Sequence, residues 1–303
     1  MQVKVIPYTL HRRLLRCVLQ SRLVEFVGAK LKKPAIKHVM VQRSGDDQTC
    51  ATFRDIEIET VNRCNGQCSF CPVNARNDSR ILARMDDAVF TKIVRELGLM
   101  SYQGLIGLSS NNEPYIDDKI VPRIAECRKA CPLARIYLYT NGTLLNIEKV
   151  LLSIQAGLDK MVIDDYGDDL LLSANARQIV AALNRPENAW AATKVDVFIR
   201  QRHEVLRNRG GRAPNKPSAK YRVFELYSDA GCTKPFKQMV IRPTGQVSLC
   251  CNDTLGEVTM GDVNMQGLLE VWNGQGFRSV RKALLTEGRK NLTAVQDSGH
   301  SAG

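Results

Sequence analysis

The chain has 303 residues, of which 44% are hydrophobic and 24% charged, as is ordinary for a globular protein with a substantial core. It contains no run of 18 apolar residues and no signal-peptide pattern, so neither a membrane span nor secretion is expected. The net charge of +12 suits an anionic partner, but no nucleic-acid module is recognisable, so a dedicated nucleic-acid role is not expected.

The first segment, residues 1–50, is predicted to be a helix and a lead-in to the main domain. Between residues 8 and 33 apolar side chains recur at helical spacing, with basic side chains between them. This pattern predicts an amphipathic helix packed on the main domain. Docking on a membrane surface or on a partner is the alternative.

The segment 51–225 shows short β-rich runs that alternate with helical runs, which predicts parallel strands covered by helices. The expected fold class is α/β, a partial (βα)6 TIM-like barrel. The predicted strands cover 56–61, 105–108, 136–140, 161–164 and 195–199, and the predicted helices cover 86–97, 116–130, 147–156 and 175–183. Distinctive polar sequences follow successive strands, and in such folds ligands bind at the carboxyl ends of the strands.

The last segment, 226–303, has a different pattern and is predicted to be a small α+β domain. A basic stretch rich in Gly and Pro, residues 207–218, reads as the connection to it. Beyond this connection, 239–249 predicts a hairpin that turns at 243–245, and 268–272 and 277–286 predict two short helices.

Ten cysteines occur in the chain, and three of them, Cys64, Cys68 and Cys71, lie within eight residues after the first predicted strand. In a cytoplasmic protein, which is the simpler expectation, clustered cysteines are candidate metal ligands. Three thiolates can bind three of the four irons of a cube-shaped iron-sulfur cluster and leave one iron open. A zinc site and free cysteines are the alternatives. Cys127 and Cys131, one helical turn apart, are expected to be buried core thiols.

This loop, with Phe70 before its last cysteine and a βα repeat after it, resembles the radical SAM superfamily over roughly residues 55–200. The resemblance implies a [4Fe-4S] cluster whose open iron chelates S-adenosylmethionine (SAM). One electron then cleaves SAM, and the 5′-deoxyadenosyl radical removes a hydrogen atom from the substrate. An electron donor such as flavodoxin or ferredoxin is implied as a partner.

The same resemblance assigns SAM contacts to the later strand ends. Glu113, in Asn-Asn-Glu-Pro where the family carries Gly-Gly-Glu-Pro, is expected to meet the methionyl amino group, with Asn112 beside it. Thr140 and Asn141 are similar to the family's third-strand motif. The further expected contacts are Asp164 or Asp165 at the ribose and Arg200 at the carboxylate.

A second cysteine set resembles the opening of SPASM and twitch auxiliary-cluster domains. Cys232 is followed by Gly245, Cys250 and Cys251, all predicted metal ligands, but no cysteine follows Cys251 in the sequence. Val295 and Ser298 stand where a closing pair would fit. Either the auxiliary iron-sulfur cluster has lost ligands, or Cys251, His300 or a distant cysteine completes it.

The predicted function is hydrogen abstraction from a small polar or sugar-like substrate, leading to oxidation or rearrangement. Anionic groups of that substrate are expected to meet Arg207, Arg209 and Arg212 in the basic loop. SPASM-type modification of a ribosomal peptide is one alternative. The other is a non-catalytic iron-sulfur protein that transfers electrons or binds a partner.

Overall fold

The computed structural model describes residues 2–7, 36–76, 78–202, 212–214 and 232–288. The predicted helix at 8–33, the domain boundary at 226, Arg207, Arg209, Val295, Ser298 and His300 lie outside this part of the chain. None of the helices in the described ranges is long and apolar enough to cross a membrane.

Nine strands form one sheet in the order β1-β6-β5-β4-β3-β2-β7-β8-β9. All neighbours from β1 to β7 pair parallel, whereas β8 pairs antiparallel with β7 and with β9. The mostly parallel α/β architecture confirms the predicted fold class. The strands are β1 Lys4–Ile6, β2 Asp55–Ile58, β3 Leu105–Gly107, β4 Arg135–Thr140, β5 Lys160–Tyr166, β6 Val195–Arg200, β7 Gln238–Ile241, β8 Gln246–Ser248 and β9 Thr259–Asp262.

Helices connect the parallel strands, and some of them begin at a residue whose polar side chain caps the first turn. Asp86 accepts from Ala88 N, and Ser173 accepts from Ala176 N, each supplying a partner for a free N–H of the first turn. The helices are α1 36–43, α2 Asp87–Leu99, α3 Ile120–Ala130, α4 Ile147–Gln155, α5 Ala174–Leu183, α6 Ala189–Ala192, α7 Leu268–Trp272 and α8 Gln275–Thr286. The predicted helices of the repeat agree with α2 to α5 apart from one to four terminal residues.

The predicted C-terminal hairpin and its two short helices are present as β7, β8, α7 and α8. The sheet nevertheless continues into this segment, because β7 pairs parallel with β2 from Asp55↔Gln238 to Ile58↔Ile241. The C-terminal segment therefore extends the sheet beyond β2, the first strand of the repeat.

A buried ion pair joins the ends of β2 and β7. Arg242 Nη1 lies 2.9 Å from Glu59 Oε2, and their side chains are 6% and 0% exposed. Arg242 Nε also donates to Ser248 Oγ at 2.6 Å, and its Nη2 donates to the carbonyl of Asp253. This arginine ties together the two segments that border the strand ends.

Candidate functional site

The loop after β2 holds Cys64, Cys68 and Cys71, each partly exposed. Cys71 N donates to the carbonyl of Cys68 at 3.1 Å, which makes a tight turn between two of the thiols. Gly66 N lies 3.3 Å from Cys64 Sγ, and a Cβ at Gly66 would also sit 3.3 Å from this sulfur. A side chain at Gly66 would therefore crowd the first thiol.

Phe70 anchors this loop to the repeat. Its ring is 2% exposed and lies 5.8 Å from the ring of Tyr166 at the end of β5. The aromatic residue before the last cysteine thus positions the loop over the strand ends and also lines the cavity there.

A cavity of about 290 Å³ opens beside the three thiols at the carboxyl ends of the strands. It collects residues from the ends of β2, β3, β4 and β5 and from the loop after β8. Its lining consists of Glu57, Cys64, Gly66, Cys68, Phe70, Cys71, Val73, Asn74, Ser109, Ser110, Asn111, Asn112, Glu113, Tyr137, Tyr139, Thr140, Asn141, Asp164, Tyr166 and Cys251.

Glu113 lies in the cavity wall and is 1% exposed. Its carboxylate accepts from Thr140 Oγ1 and Asn141 N at 2.8 Å and from Tyr115 N at 3.2 Å. Burial raises the pKa of this carboxyl, although these donors act in the opposite direction. Thr140 and Asn141 thus fix the orientation of Glu113, and Asn141 Nδ2 reaches Cys64 Sγ at 3.7 Å.

Asn112 turns its amide into the same cavity. Its Oδ1 accepts from Ser110 N at 3.0 Å, while its buried Nδ2 has no hydrogen-bond partner among the described residues. A buried amide donor without an acceptor is costly unless a ligand supplies the acceptor. Asn112 is therefore suited to an anionic or carbonyl oxygen of a bound molecule.

The two predicted ribose residues face opposite sides of β5, because side chains alternate along a strand. Asp164 lines the cavity and pairs with Arg200 Nε at 2.5 Å. Asp165 is absent from the lining, and its Oδ2 accepts from Ser173 N at 2.7 Å. Asp165 thus supports the turn before α5, and Asp164 is the better placed of the two predicted ribose contacts. Arg200 holds Asp164 and is absent from the lining, and its contact with the SAM carboxylate stays a prediction.

Several lining residues were not identified in the sequence, chief among them Glu57, Tyr137 and Tyr139. They occupy alternate positions on β2 and β4 whose neighbours Ile56, Ile136 and Leu138 are fully buried. The strand alternation is a signal for inward-facing residues, but it does not show which strands border the cavity.

The donor set and the cavity fit the cofactors that the first cysteine set implies. Cys64, Cys68 and Cys71 would hold three irons of a cubane cluster, which would leave the fourth iron for a ligand in the cavity. Burial raises the pKa of Cys64 to about 12, so metal binding must displace its proton. Within the described ranges no three His, Cys, Asp or Glu side chains converge on a single metal ion.

Of the second cysteine set, Cys251 lines the cavity, whereas Cys250 is only 5% exposed. Burial first, and then the neighbouring Cys251 and Cys232, raise the pKa of the Cys250 thiol. The Lys234 side chain hydrogen-bonds Cys251. Three thiols are one fewer than a closed [4Fe-4S] site requires, so the described residues alone do not fit such a cluster.

Cys127 and Cys131 are 0% and 1% exposed and belong to the hydrophobic core, as predicted. Arg212, predicted to meet anionic groups of a substrate, pairs with Glu257 through two contacts of 2.9 and 2.7 Å. Its guanidinium is therefore already engaged by a carboxylate.

Two sequence families match the chain. Residues 58–165 match the radical SAM superfamily, and residues 232–294 match SPASM, described as an iron-sulfur cluster-binding domain. These matches confirm the resemblance drawn from both cysteine sets. They imply an iron-sulfur cluster and SAM in the first part and an iron-sulfur cluster in the second.

Two characterised proteins are similar in sequence. S-adenosyl-L-methionine-dependent 2-deoxy-scyllo-inosamine dehydrogenase of Niallia circulans is 25% identical over 238 residues, which cover 78% of this chain and 89% of that protein. GTP 3′,8-cyclase of Synechococcus sp. (strain CC9902) is 28% identical over 116 residues, which cover 38% of this chain and 32% of that protein.

Solved structures show the same fold. A crystal structure of BtrN in complex with AdoMet and 2-DOIA superposes with a TM-score of 0.66 at 23% identity, covering 80% of this chain and 91% of that one. BtrN in an open conformation gives a TM-score of 0.57 at 21% identity, covering 80% and 89%.

Proposed function

The chain is a radical SAM enzyme with a C-terminal SPASM domain, and we propose that it oxidises a small polyhydroxylated ring bearing an amino group. When bound, the cluster and SAM would supply the 5′-deoxyadenosyl radical that removes one hydrogen atom from the substrate carbon. An external one-electron acceptor would take the second electron of the oxidation, and solvent would take the hydroxyl proton. The protein's own task is to hold SAM and the substrate in one cavity and to keep water away from the reacting carbon.

Glu57 is the observation that carries the proposed substrate class. Its carboxylate lies in the same cavity as the loop of Cys64, Cys68 and Cys71, here called the cluster loop. It accepts from Gln238 Nε2 at 2.8 Å and is also hydrogen-bonded by Ser110. Burial raises its pKa, and an ammonium group beside it would favour the ionised form. A buried carboxylate of this kind suits an amine and the hydroxyl next to it.

The polarity of the cavity wall suits a small ring. Ser109, Ser110 and Asn111 supply polar side chains to this wall, and Tyr137 and Tyr139 supply flat aromatic surface. This mixture of hydroxyl, amide and aromatic groups suits a polyhydroxylated ring.

The other cavity residues are assigned to SAM. The Glu113 carboxylate, oriented by Thr140 and Asn141, is placed to accept from the methionyl amino group. Asn112 Nδ2 is placed to donate to a carboxylate or carbonyl oxygen of the same ligand. Asp164, held by Arg200, is placed to accept from the ribose hydroxyls. These contacts orient SAM beside the thiol loop, so that the radical forms next to the substrate.

The similarity to a 2-deoxy-scyllo-inosamine dehydrogenase supports both the substrate class and the oxidation, because it extends over 78% of this chain. Oxidation at a hydroxyl-bearing carbon also agrees with the predicted oxidoreductase chemistry.

The test is to add 2-deoxy-scyllo-inosamine to the anaerobic, reduced holoenzyme with SAM. We expect 5′-deoxyadenosine to form several-fold faster than without the substrate, together with an equal amount of oxidised substrate. Glu57→Gln should lower kcat/KM by at least about tenfold, since a hydrogen bond to a charged group contributes roughly 1.5–3 kcal/mol.

The matched control is Glu187→Gln, at an exposed position in the turn after α5, and it should leave kcat/KM unchanged. If the substrate does not stimulate 5′-deoxyadenosine formation, the substrate class is wrong. Full activity of Glu57→Gln would show that Glu57 does not bind the substrate.

A further inference from the structure

We propose that the surface formed by Arg76, Arg80, Ile81, Leu82 and Arg84, here called the donor face, docks an acidic protein that delivers single electrons to the cluster loop. The cavity side of this loop is needed for SAM and substrate. An electron therefore has to reach the loop from its outer side. The segment that carries the donor face, residues 76–84, follows the loop in sequence and is hydrogen-bonded to the residue two positions before Cys64.

Hydrogen bonds connect the segment of the donor face to the cluster loop and to the residue just before it. Asn62 Nδ2 donates to the carbonyl of Ile81 at 2.8 Å, and Ala83 N donates to Asn62 Oδ1 at 2.9 Å. Just before Arg76, Ala75 N donates to the carbonyl of Gly66 in the cluster loop at 2.9 Å. Asn62 is two residues from Cys64, a span of at most about 7 Å. A partner on the donor face thus comes close to the first thiol.

Two large apolar side chains project from this segment into solvent. Ile81 is 91% exposed and Leu82 is 54% exposed, although the carbonyl of Ile81 is held by Asn62. Hydrogen bonds hold the backbone here while both side chains are left largely in water, which is typical of an interaction site.

Guanidinium groups surround these apolar side chains. Arg76 and Arg84 are exposed, and Arg80 is partly exposed. The segment's one described acid, Asp78, is 4% exposed in its side chain and is neutralised by Arg63 and Arg80 at 3.2 and 2.9 Å. The next acidic residues in the sequence also have partners. Asp86 caps α2, and Asp87 pairs with Lys119 and Arg123. The donor face therefore presents positive charge, as does the whole chain at +12.

A small apolar centre with a charged rim matches a weak, fast electron-transfer encounter better than a stable complex. Opposite charge on the partner would steer the encounter and make its rate fall with salt. The fitting partner is a small acidic protein with a one-electron redox group near its surface. It gives up one electron, and the cluster held by Cys64, Cys68 and Cys71 gains one, with no bond or proton transferred.

The experiment compares two reductants of the reconstituted holoenzyme in anaerobic stopped flow. One is the fully reduced form of an acidic flavodoxin, and the other is titanium(III) citrate, which needs no docking surface. The test variant is Ile81→Glu with Arg84→Glu. The matched control is Leu133→Glu with Arg135→Glu, two exposed residues at the amino end of β4, the end of the sheet opposite to the cavity.

We expect the test variant to be reduced by flavodoxin about tenfold more slowly than wild type at low salt, with titanium(III) citrate reduction unchanged. Binding of oxidised flavodoxin should weaken to a similar extent, and the wild-type rate should fall steeply with salt. The control variant should behave as wild type.

The donor face is not the docking site if flavodoxin reduces the test variant as fast as wild type, or does not reduce wild type at all. An equal loss with titanium(III) citrate would place the defect in the cluster and would also overturn the proposal. None of these measurements depends on the substrate, so the proposed function is tested separately.

Discussion

Replacing Arg242 with methionine is expected to lower the free energy of unfolding by about 3–5 kcal/mol, because it leaves the Glu59 carboxylate buried without a countercharge. Glu59 is 0% exposed, and its carboxylate also accepts a hydrogen bond from Asn111 N at 3.3 Å. The variant also loses the bonds to Ser248 Oγ and to the Asp253 carbonyl. Denaturant unfolding of the cluster-free protein measures the effect.

Two control variants distinguish the loss of a buried ion pair from the loss of an exposed charge. Arg54→Met removes an ion pair whose arginine is 62% exposed, and it should change stability by less than about 1 kcal/mol. The double variant Glu59→Leu with Arg242→Met should be more stable than Arg242→Met alone, since no charge is then left buried. Equal stability of Arg242→Met and Arg54→Met would contradict this role of the pair.

Replacing Glu113 with glutamine is expected to weaken SAM binding by about 30- to 150-fold, or roughly 2–3 kcal/mol. The substitution keeps the size of the side chain but removes the negative charge that faces the methionyl ammonium. Isothermal titration of the holoenzyme with SAM measures the affinity. Glu148→Gln, an exposed glutamate in the first turn of α4, should bind SAM as wild type does.

The pH dependence gives a second readout for Glu113. Only the ionised carboxylate attracts the ammonium, and burial raises the pKa of Glu113 above its usual range. SAM affinity of the wild type should therefore be full above this raised pKa and fall as the pH drops through it. This decline should be absent in Glu113→Gln. Wild-type affinity in the variant would exclude Glu113 from the amino-group site.

Local patterns were sufficient to predict the repeat and the thiol loop. The alternation of short apolar runs with helical runs fixed β2 to β6 because each element depends mainly on its own residues. Cys64, Cys68 and Cys71 are recognisable for the same reason, since eight consecutive residues carry the whole donor set. Glu113 was found because it follows a strand end in a repeat that places all such ends together.

Features that depend on distant pairing were not predictable. The parallel pairing of β7 with β2 joins residues about 180 positions apart. It brings Gln238 into hydrogen-bond contact with Glu57 and Cys251 into the cavity lining. The Glu59–Arg242 pair also spans this distance. Asp164 and Asp165 are adjacent in sequence, and the pleat of β5 alone decides which of them faces the cavity.

The central claim is that the loop of Cys64, Cys68 and Cys71 holds a cluster that cleaves SAM. The most direct measurement is product analysis after anaerobic reconstitution, reduction with dithionite and addition of SAM. Wild-type protein should form 5′-deoxyadenosine and methionine in equal amounts, and Cys68→Ala should form neither above the rate of a protein-free control. Absence of 5′-deoxyadenosine from the wild type, or its undiminished formation by Cys68→Ala, would contradict the claim.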